Sequence, residues 1–351
     1  MERTLLHVHP GASTFVVKDR RLLSEAFAVI DAPFIWRAKW QVPLLLIKQF
    51  FHLCFSASRW QAIVVQFSGY HAVLPALVAR MLGRPCIIIA GGTDCVAFPS
   101  LRYGNFARQP LAWATRMVYK LATHIVPVHT SLVRTTNSYR DQDDGEQGIL
   151  AYVPGLRTPI TVVPNGYDAG AWQLGTAQRD IDVVTVASND RRPSTMRLKG
   201  IDMIMELAYA RPGLQFAIIG MKPDPRNPAP PNLTFIPAVP NDQLPGYYQR
   251  SKVYAQLSLS EGFPNALCEA MLCGCVPLVS AVGAMPDIVG GCGAVVRERS
   301  IAEVAAALDR LMKEIGTAQQ VAARERIATN FTEGRRRSEL IDLIDVALTV
   351  K

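Results

Sequence analysis

The stretch VYAQLSLSEGFPNALCEAMLCGCVPLVS, residues 253–280, decides how this chain is expected to fold. It opens with an apolar segment that has the length of a buried strand, and it closes with another. Between them, SEGFPN turns the chain into an apolar run at 264–273 that has the length of a helix. Strand, loop, helix and strand in this order indicate a parallel βαβ unit.

The same alternation runs through both halves of the chain. Strands are predicted at 4–8, 27–31, 62–67, 86–92, 124–128, 160–164, 182–188, 216–220, 233–237, 253–259 and 276–281. Helices are predicted at 71–83, 110–122, 200–210, around 264–273 and at 301–316. This pattern predicts an α/β fold with two Rossmann-like domains.

The predicted domain boundary lies near 165–180, where the sequence is rich in Gly, Asp and Gln and has no sustained periodicity. We therefore expect an N-terminal domain over 1–168 and a C-terminal domain over 169–335. Residues 336–351 are predicted to form a C-terminal helix that packs back on the N-terminal domain.

Composition limits the classes of function. The 351-residue chain has a formal charge of +8, which favours an anionic partner such as nucleic acid, an acidic membrane surface or a phosphorylated substrate. Nucleic acid is the weakest of these, because the basic residues are scattered and no reader motif is present. The seven cysteines contain no C-x-x-C pair, which favours reduced and mostly buried thiols in a cytoplasmic protein. The sequence also lacks a signal-peptide pattern, a Walker loop, G-x-G-x-x-G, G-x-S-x-G and a metal-binding triad.

The most apolar segment is WQVPLLLIKQFFHLCF, residues 40–55. Its uninterrupted apolar runs fall well short of the roughly 20 residues that a membrane span needs. A core helix with basic edges is the favoured interpretation. A membrane-surface helix is the alternative, supported by Trp36, Arg37, Lys39 and Lys48 in and beside the segment.

Two carboxylates mark the loop and helix of the opening stretch. Glu261 lies in the turn, and Glu269 lies inside the apolar helix, where an unpaired charge is costly. The first backbone N–H groups of that helix lack partners within the helix, so they favour a phosphate or sugar hydroxyl at its start. From the residue types alone, a ligand site and a solvent-facing glutamate are equally supported.

Three other strand ends carry polar residues. RLKGID, residues 197–202, offers Lys199 and a nearby arginine for a diphosphate. IAGGTD offers Thr93 and Asp94 for a hydroxyl-rich substrate or for capping a helix. QFSGYH brings His71 to a third corner, where a surface or capping role is the more common one.

Taken together, these motifs resemble the retaining nucleotide-sugar glycosyltransferases of family four, which have the GT-B fold. The resemblance rests on the glutamate pair with seven intervening residues, on CGCVP, VVPNGYD, LKGID and GGTD, and on VGAMPDIVGGCGAVV after the pair. The motifs occur in the family's order along most of the chain. The resemblance implies two Rossmann-like domains that face each other across a cleft.

The resemblance also implies roles for individual residues. Glu269 would bind the ribose of the nucleotide, and Glu261 would lie near the anomeric carbon of the donor sugar. Lys199 would stabilise the leaving diphosphate in place of a metal, together with an arginine that stays open among Arg191, Arg192 and Arg197. The other implied donor-binding residues are Gly262, Phe263, Pro264, Asn265 and Asn165. Gly92, Thr93 and Asp94 would line the acceptor side, and His71 is the candidate catalytic histidine after the third strand.

The expected function is transfer of a hexose, with retention, from a UDP-sugar or GDP-sugar to a glycan or lipid-linked acceptor in cell-surface polysaccharide or glycolipid synthesis. No cofactor is expected, and the location would be cytoplasmic or peripheral at the inner face of an anionic membrane. A nucleotide-sugar epimerase or phosphorylase of the same fold and a non-catalytic scaffold of a polysaccharide assembly complex are the alternatives.

Overall fold

A computed structural model describes residues 3–35, 38, 40–137, 139, 145–175, 178–188, 190–224 and 228–349. The chain folds into two units. The first unit comprises residues 1–135, 146–166 and 333–351, and the second comprises residues 136–145 and 167–332. Asn137, predicted in the first domain, therefore lies in the second unit. Its contacts explain this placement, because the Asn137 side chain donates a hydrogen bond to the Leu259 carbonyl over 3.1 Å.

The first unit contains a five-stranded parallel sheet in the order β2-β1-β3-β4-β5. Its strands are β1 (Thr4–His9), β2 (Ala28–Pro33), β3 (Ala62–Gln66), β4 (Cys86–Ala90) and β5 (His124–Pro127), and the short strands β6 (Thr135–Thr136) and β7 (Glu146–Gln147) follow. Its helices are α1 (Thr14–Leu23), α2 (Gln41–Ser56), α3 (Tyr70–Met81), α4 (Gln109–Leu121), α5 (Ile149–Tyr152) and α13 (Glu333–Thr349).

Helix α13 completes the core of the first unit. Leu340 and Ile344 pack with Leu5 and Val64 of the sheet. Arg336 on the same helix forms an ion pair with Asp19 of α1 over 2.6 Å, and both side chains are buried. The last helix of the chain is thus part of the first unit.

The second unit contains a six-stranded parallel sheet in the order β10-β9-β8-β11-β12-β13. Its strands are β8 (Ile181–Val186), β9 (Phe216–Ile219), β10 (Leu233–Ile236), β11 (Ser251–Gln256), β12 (Val276–Ser280) and β13 (Ala294–Val296). Its helices are α6 (Pro193–Leu198), α7 (Ile201–Ala210), α8 (Leu244–Gln249), α9 (Asn265–Leu272), α10 (Met285–Val289), α11 (Ile301–Glu314) and α12 (Thr317–Asn330).

The following strand predictions differ from the structure. Residues 160–164 are not a strand: only Ile160 bridges to β5, and prolines at 159 and 164 bracket the segment. Strand β11 ends at Gln256 and leaves 257–264 as a loop, whereas the prediction extended the strand to 259. Strand β13 was missed because its apolar run is only three residues long.

The interpretation of the apolar 40–55 segment as a core helix is wrong. Within α2, only Leu53 and Ser56 are buried, while Phe55 is 81% exposed and Leu44 is 65% exposed. The flanking residues Trp36, Arg37 and Lys39 lie outside the described residues. Among the helices that the structure describes, none has the combination of length and apolar character that a membrane crossing requires.

All seven cysteines are free thiols. Five of them are buried, while Cys54 is exposed and Cys292 is intermediate. Burial raises the pKa of Cys86, Cys273 and Cys275 to about 12, so these three are inert structural thiols.

Candidate functional site

The strand order of the second unit picks out one place for a ligand. The chain crosses from β8 to one side of the sheet through β9 and β10, and then returns to the other side at β11. Strands β8 and β11 are neighbours, so the order reverses between them. Ligands of open parallel sheets bind beyond the carboxyl ends of the strands at such a point. The loops that follow these two strands carry Lys199 and Glu261.

These two predicted residues meet directly. The Lys199 ammonium donates a hydrogen bond to Oε1 of Glu261 over 2.8 Å. The Gln256 amide at the end of β11 donates to the same oxygen over 2.9 Å. The lysine side chain is 38% exposed and that of the glutamate 11%, so the pair lies at the surface of the unit with its charge accessible.

The turn that holds Lys199 is fixed by a close backbone approach. Gly200 has a φ of +68°, and a Cβ atom there would lie 2.1 Å from the Leu257 carbonyl oxygen. A hydrogen bond of 2.8 Å from the Leu259 N–H to the Leu198 carbonyl joins the same two loops. Only glycine fits this position, so the LKGID sequence is needed for the loops to touch.

A second glycine holds the loop of Glu261 from the other side. Gly283 has a φ of +58°, and a Cβ atom there would lie 2.0 Å from the Glu261 carbonyl oxygen. Beside it, the Ala284 N–H donates to the Gly262 carbonyl over 3.1 Å. The backbone at Glu261 and Gly262 is therefore clamped between two neighbouring loops of the same unit.

Aromatic packing positions the start of α9. Phe263 is buried, and its ring lies 5.2 Å from that of Phe331. The Tyr167 hydroxyl donates to Oδ1 of Asn265, the first residue of α9, over 2.7 Å. Pro264 precedes the helix as its N-cap residue. This arrangement turns the first N–H groups of α9 to the same end of the unit as Glu261.

Glu269 lies about one helical turn further along α9. It is 7% exposed among the apolar residues of α9. Together with burial, the charge of Glu269 raises the pKa of Tyr248 and Tyr254. The sequence left two alternatives for Glu269, and the structure excludes the one in which this side chain faces bulk solvent.

The three candidate arginines occupy different positions after β8. Arg191 donates to the carbonyl oxygens of Lys222 and Pro223 over 2.7 and 2.9 Å. Arg192 is paired with Asp190, and this contact lowers the pKa of that carboxyl. Arg197 lies in the last turn of α6, two residues before Lys199. Residues two apart in helical backbone point to different faces, so the arginine that would act with Lys199 stays open among the three.

In the first unit, the residues predicted on the acceptor side form a tightly built corner. Asp94 is buried and accepts hydrogen bonds from the N–H groups of Ser68 and Gly92 and from the Tyr119 hydroxyl over 2.9 to 3.1 Å. Burial raises the pKa of this carboxyl. Asp94 thus braces the loop, while the exposed Thr93 contacts the Tyr103 hydroxyl over 2.9 Å.

The same corner contains a strained residue that the sequence did not reveal. Phe67 has a φ of +63°, a conformation that is rare for a bulky side chain. Its ring fills the space over Gly91, where a Cβ atom would lie 2.1 Å away. Strain of this kind is concentrated at ligand-binding corners.

His71 and Asn165, the remaining predicted residues, also lie in the first unit. His71 is buried at the start of α3, its Nε2 lies 3.0 Å from the Gln66 carbonyl oxygen, and burial lowers its pKa to about 4. It is therefore a neutral side chain engaged with its own loop. Asn165 follows Pro164, whose carbonyl accepts a hydrogen bond from Arg336. Its donor-binding role stays a prediction.

Comparisons with known proteins find similar sequences for part of the second unit. The family model described as "Glycosyl transferases group 1" matches residues 192–314, which include Lys199, Glu261 and Glu269. The Escherichia coli protein O-antigen chain mannosyltransferase B is 30% identical over 95 residues, 26% of this chain. The match spans about a quarter of that relative's length, 25%.

Similar solved structures cover nearly the whole chain. Sucrose-phosphate synthase from Thermosynechococcus elongatus has a TM-score of 0.74 and 14% identity, over 99% of this chain and 100% of its own. HepE from Anabaena, solved with UDP, has a TM-score of 0.68 and 13% identity, over 98% and 100%. A glycosyltransferase from Rickettsia africae has a TM-score of 0.67 and 11% identity, over 100% of both chains.

At these identities, the structural similarity shows the fold. The α/β fold with two Rossmann-like domains, predicted from the sequence, is confirmed. The resemblance predicted from the motifs is confirmed as well: residues 192–314 of the second unit match the family model of group 1 glycosyl transferases, and the chain has the GT-B fold.

Proposed function

We propose that this chain transfers a hexose, with retention of anomeric configuration, from a nucleoside diphosphate sugar to a glycan or lipid-linked acceptor. The observation that carries the proposal is the Lys199–Glu261 pair at the point where the strand order of the second unit reverses. A cation, a carboxylate and a helix N-terminus meet there, as recognition of a diphosphate joined to a sugar requires.

Each part of the donor has a matching group in the second unit. The diphosphate is anionic and fits Lys199 and the first N–H groups of α9. The ribose hydroxyls are donors that suit the carboxylate of Glu269, whose burial makes an added hydrogen bond valuable. The sugar is proposed to lie beside Glu261, because this carboxylate is 2.8 Å from the Lys199 ammonium that would bind the diphosphate next to the sugar.

The proposed reaction breaks the bond between the anomeric carbon and the diphosphate oxygen. The acceptor hydroxyl oxygen bonds to that carbon on the face from which the diphosphate leaves, which retains the configuration. The diphosphate leaves with the electron pair of the broken bond, and its departing oxygen takes the proton of the acceptor hydroxyl. Negative charge grows on the leaving oxygen, and Lys199 stabilises it. An ammonium has three donors, so the contact with Glu261 is compatible with a phosphate contact. The donor step is proposed to need no metal, since this lysine supplies the positive charge.

The chemical class of the donor is supported by the relatives. HepE of Anabaena was solved with UDP and with UDP-glucose, and the partial relative from Escherichia coli is named a mannosyltransferase. A UDP-hexose or a GDP-hexose is therefore the proposed donor, with synthesis of a cell-surface polysaccharide or glycolipid as the setting.

A two-step experiment tests the proposal. Thermal shift with UDP, GDP, ADP and CDP identifies the base, because a ligand that binds the native state raises the melting temperature. The matching sugar nucleotide, labelled in the sugar, is then incubated with and without a mixture of lipid-linked and free glycan acceptors. We expect acceptor-dependent transfer with the donor's anomeric configuration. Epimerised donor without transfer indicates the epimerase, and binding without donor hydrolysis or transfer indicates the scaffold.

We also propose that the first unit binds an anionic membrane surface through α2. The exposed apolar side chains recur at helical spacing on one side of this helix, at Trp40, Leu44, Ile47, Phe51 and Phe55. Lys48 is exposed on the same helix, and the chain as a whole carries a formal charge of +8. An apolar stripe with basic neighbours fits the interface of anionic lipids, where a lipid-linked acceptor would lie.

A further inference from the structure

The first unit contains a cluster of polar side chains that the proposed reaction does not use. His7 and His9 lie on β1, and Asp31 lies on the adjacent parallel strand β2. Side chains two residues apart on a strand share one face, so both imidazoles point to the same side. In the strand register His7 is aligned with Asp31. One nitrogen of each histidine and one carboxylate oxygen lie within 4.8 Å of one another.

The histidine nitrogens lack partners within the described part of the chain. Both imidazoles are almost completely buried, at 0% exposure for His7 and 1% for His9. Neither nitrogen of His7, and only Nε2 of His9, has a hydrogen-bond partner among the described residues. Buried polar atoms are nearly always satisfied, so two imidazoles turned toward one carboxylate point to a ligand that accepts their lone pairs.

The carboxylate is oriented for such a ligand. Oδ2 of Asp31 is held by Arg20 over 2.7 Å, while Oδ1 faces the histidines, 3.0 Å from Nε2 of His9 and 3.9 Å from Nδ1 of His7. The Asp31 side chain is 37% exposed, which gives an ion a route to the buried imidazoles. Neutral imidazole is the form that binds a metal.

The distances fit a small transition-metal ion. Zinc binds nitrogen and oxygen ligands at about 2.0–2.1 Å, which places tetrahedral ligand atoms about 3.3 Å apart. The His9–Asp31 distance of 3.0 Å is close to this value. The His7–Asp31 distance of 3.9 Å is longer, and a small shift of the side chains would bring it to the same value. Two imidazoles with one carboxylate suit zinc, iron, cobalt or nickel, whereas magnesium and calcium prefer oxygen ligands alone.

We propose that His7, His9 and Asp31 form a binding site for a divalent first-row transition metal ion, with Zn²⁺ as the representative. The ion takes one ligand atom from each residue and leaves a fourth position for an oxygen ligand. This site uses residues of the first unit only, and none of them is proposed to bind the donor. Its existence does not depend on the proposed transferase reaction.

Zinc titration of the chelator-treated full chain tests the site. We expect one equivalent to bind by calorimetry and the melting temperature to rise by about 5 °C at a hundredfold excess over Kd. Mg²⁺ should have no such effect. The variants His7→Leu and Asp31→Asn should lose the zinc-dependent rise, whereas His124→Gln, on β5 of the same unit, should retain it. Absence of zinc binding at 100 μM, or a rise that survives both site variants, overturns the proposal.

The His7→Leu variant also separates metal binding from a merely structural role. If His7 is only an unsatisfied core residue, leucine leaves the metal-free melting temperature unchanged or higher, and wild type shows no zinc response. Should the variants fail to fold by circular dichroism, Co²⁺ titration of wild type decides. Visible absorption bands of four-coordinate Co²⁺ without thiolate charge transfer support the site. Thiolate bands, or no visible bands, overturn it, since thiolate bands would indicate binding at cysteines such as Cys54.

Discussion

Lys199 and Glu261, which are 62 residues apart in the sequence, share a hydrogen bond of 2.8 Å at the carboxyl ends of two adjacent strands. The contact exists because β8 and β11 are neighbours, and because Gly200 lets the two following loops touch. A positive charge and a carboxylate are thereby held in one place by the rigid part of the fold. The donor chemistry is expected to depend on both.

Replacing Lys199 by Met should lower kcat for sugar transfer by about 100-fold to 1,000-fold, as loss of one group that stabilises developing charge does. The effect on nucleotide affinity should be smaller, because the charge on the leaving oxygen is greatest in the transition state. Steady-state kinetics with the identified donor measures both. Lys313→Met on α11 is the matched control, since this lysine is exposed and distant in sequence from the site loops. Equal activity of the two variants would contradict the role of Lys199.

Replacing Glu269 by Gln should weaken binding of the nucleoside diphosphate at least tenfold, about 1.4 kcal/mol. The change keeps the shape of this buried side chain and removes the charge that accepts ribose hydroxyls. Calorimetry with the diphosphate measures the loss, and Glu206→Gln on the exposed face of α7 is the control. An unchanged affinity in Glu269→Gln and Glu269→Ala would show that Glu269 is structural.

The local sequence predicts most of the strands because parallel strands buried on both faces are continuous apolar runs. Strand β13 was missed because three residues are too few for a pattern. Residues 160–164 donate backbone hydrogen bonds to β5 from Thr161 and Val163, but the ladder stops after one bridge because Pro127 of β5 has no N–H. Both errors concern sheet edges, where tertiary contacts decide what a short apolar segment becomes.

The functional site could also be predicted only in part from the sequence. The sequence indicates the loops of Lys199 and Glu261, since polar residues after apolar strands are visible locally. Their mutual contact depends on strand order, which is a property of the whole sheet. The sequence analysis did not single out His7 and His9, because the predicted strand ended at residue 8 and the third member of the cluster is on another strand. The sequence therefore gave no reason to join them to Asp31.

The Gly200→Ala substitution should destabilise the chain by more than about 1 kcal/mol, because alanine is strained at positive φ and its Cβ would meet a backbone oxygen. The nucleotide affinity should fall as well, since the strained turn carries Lys199. Urea unfolding and calorimetry measure the two effects. Gly213→Ala is the control, because no atom lies within 4 Å of its Cβ position. If both variants unfold at the same urea concentration, the tight approach to Leu257 is not required.

The Arg336→Met substitution should cost about 3–5 kcal/mol of stability, because it leaves the buried Asp19 carboxylate without its bidentate partner. The double variant Asp19→Asn with Arg336→Met should recover part of this loss, since no charge then remains buried. Urea unfolding of the four proteins gives the coupling energy. Arg335→Met, an exposed neighbour on α13, should change stability little. Additive losses in the double variant would contradict a coupled pair.

Negative charges introduced on α2 test its proposed role in membrane binding. Phe51→Glu and Phe55→Glu should each reduce flotation with phosphatidylserine-containing vesicles, because both rings are exposed and lie on the apolar side of the helix. Stability should hardly change, since neither ring is part of the buried core. Tyr209→Glu on α7, exposed in the second unit, is the control and should float like wild type. Equal flotation of all variants, or no flotation of wild type, would show that α2 has another role. Loss of binding that raises KM for a lipid-linked acceptor, with unchanged KM for the sugar nucleotide, would connect this surface to the acceptor.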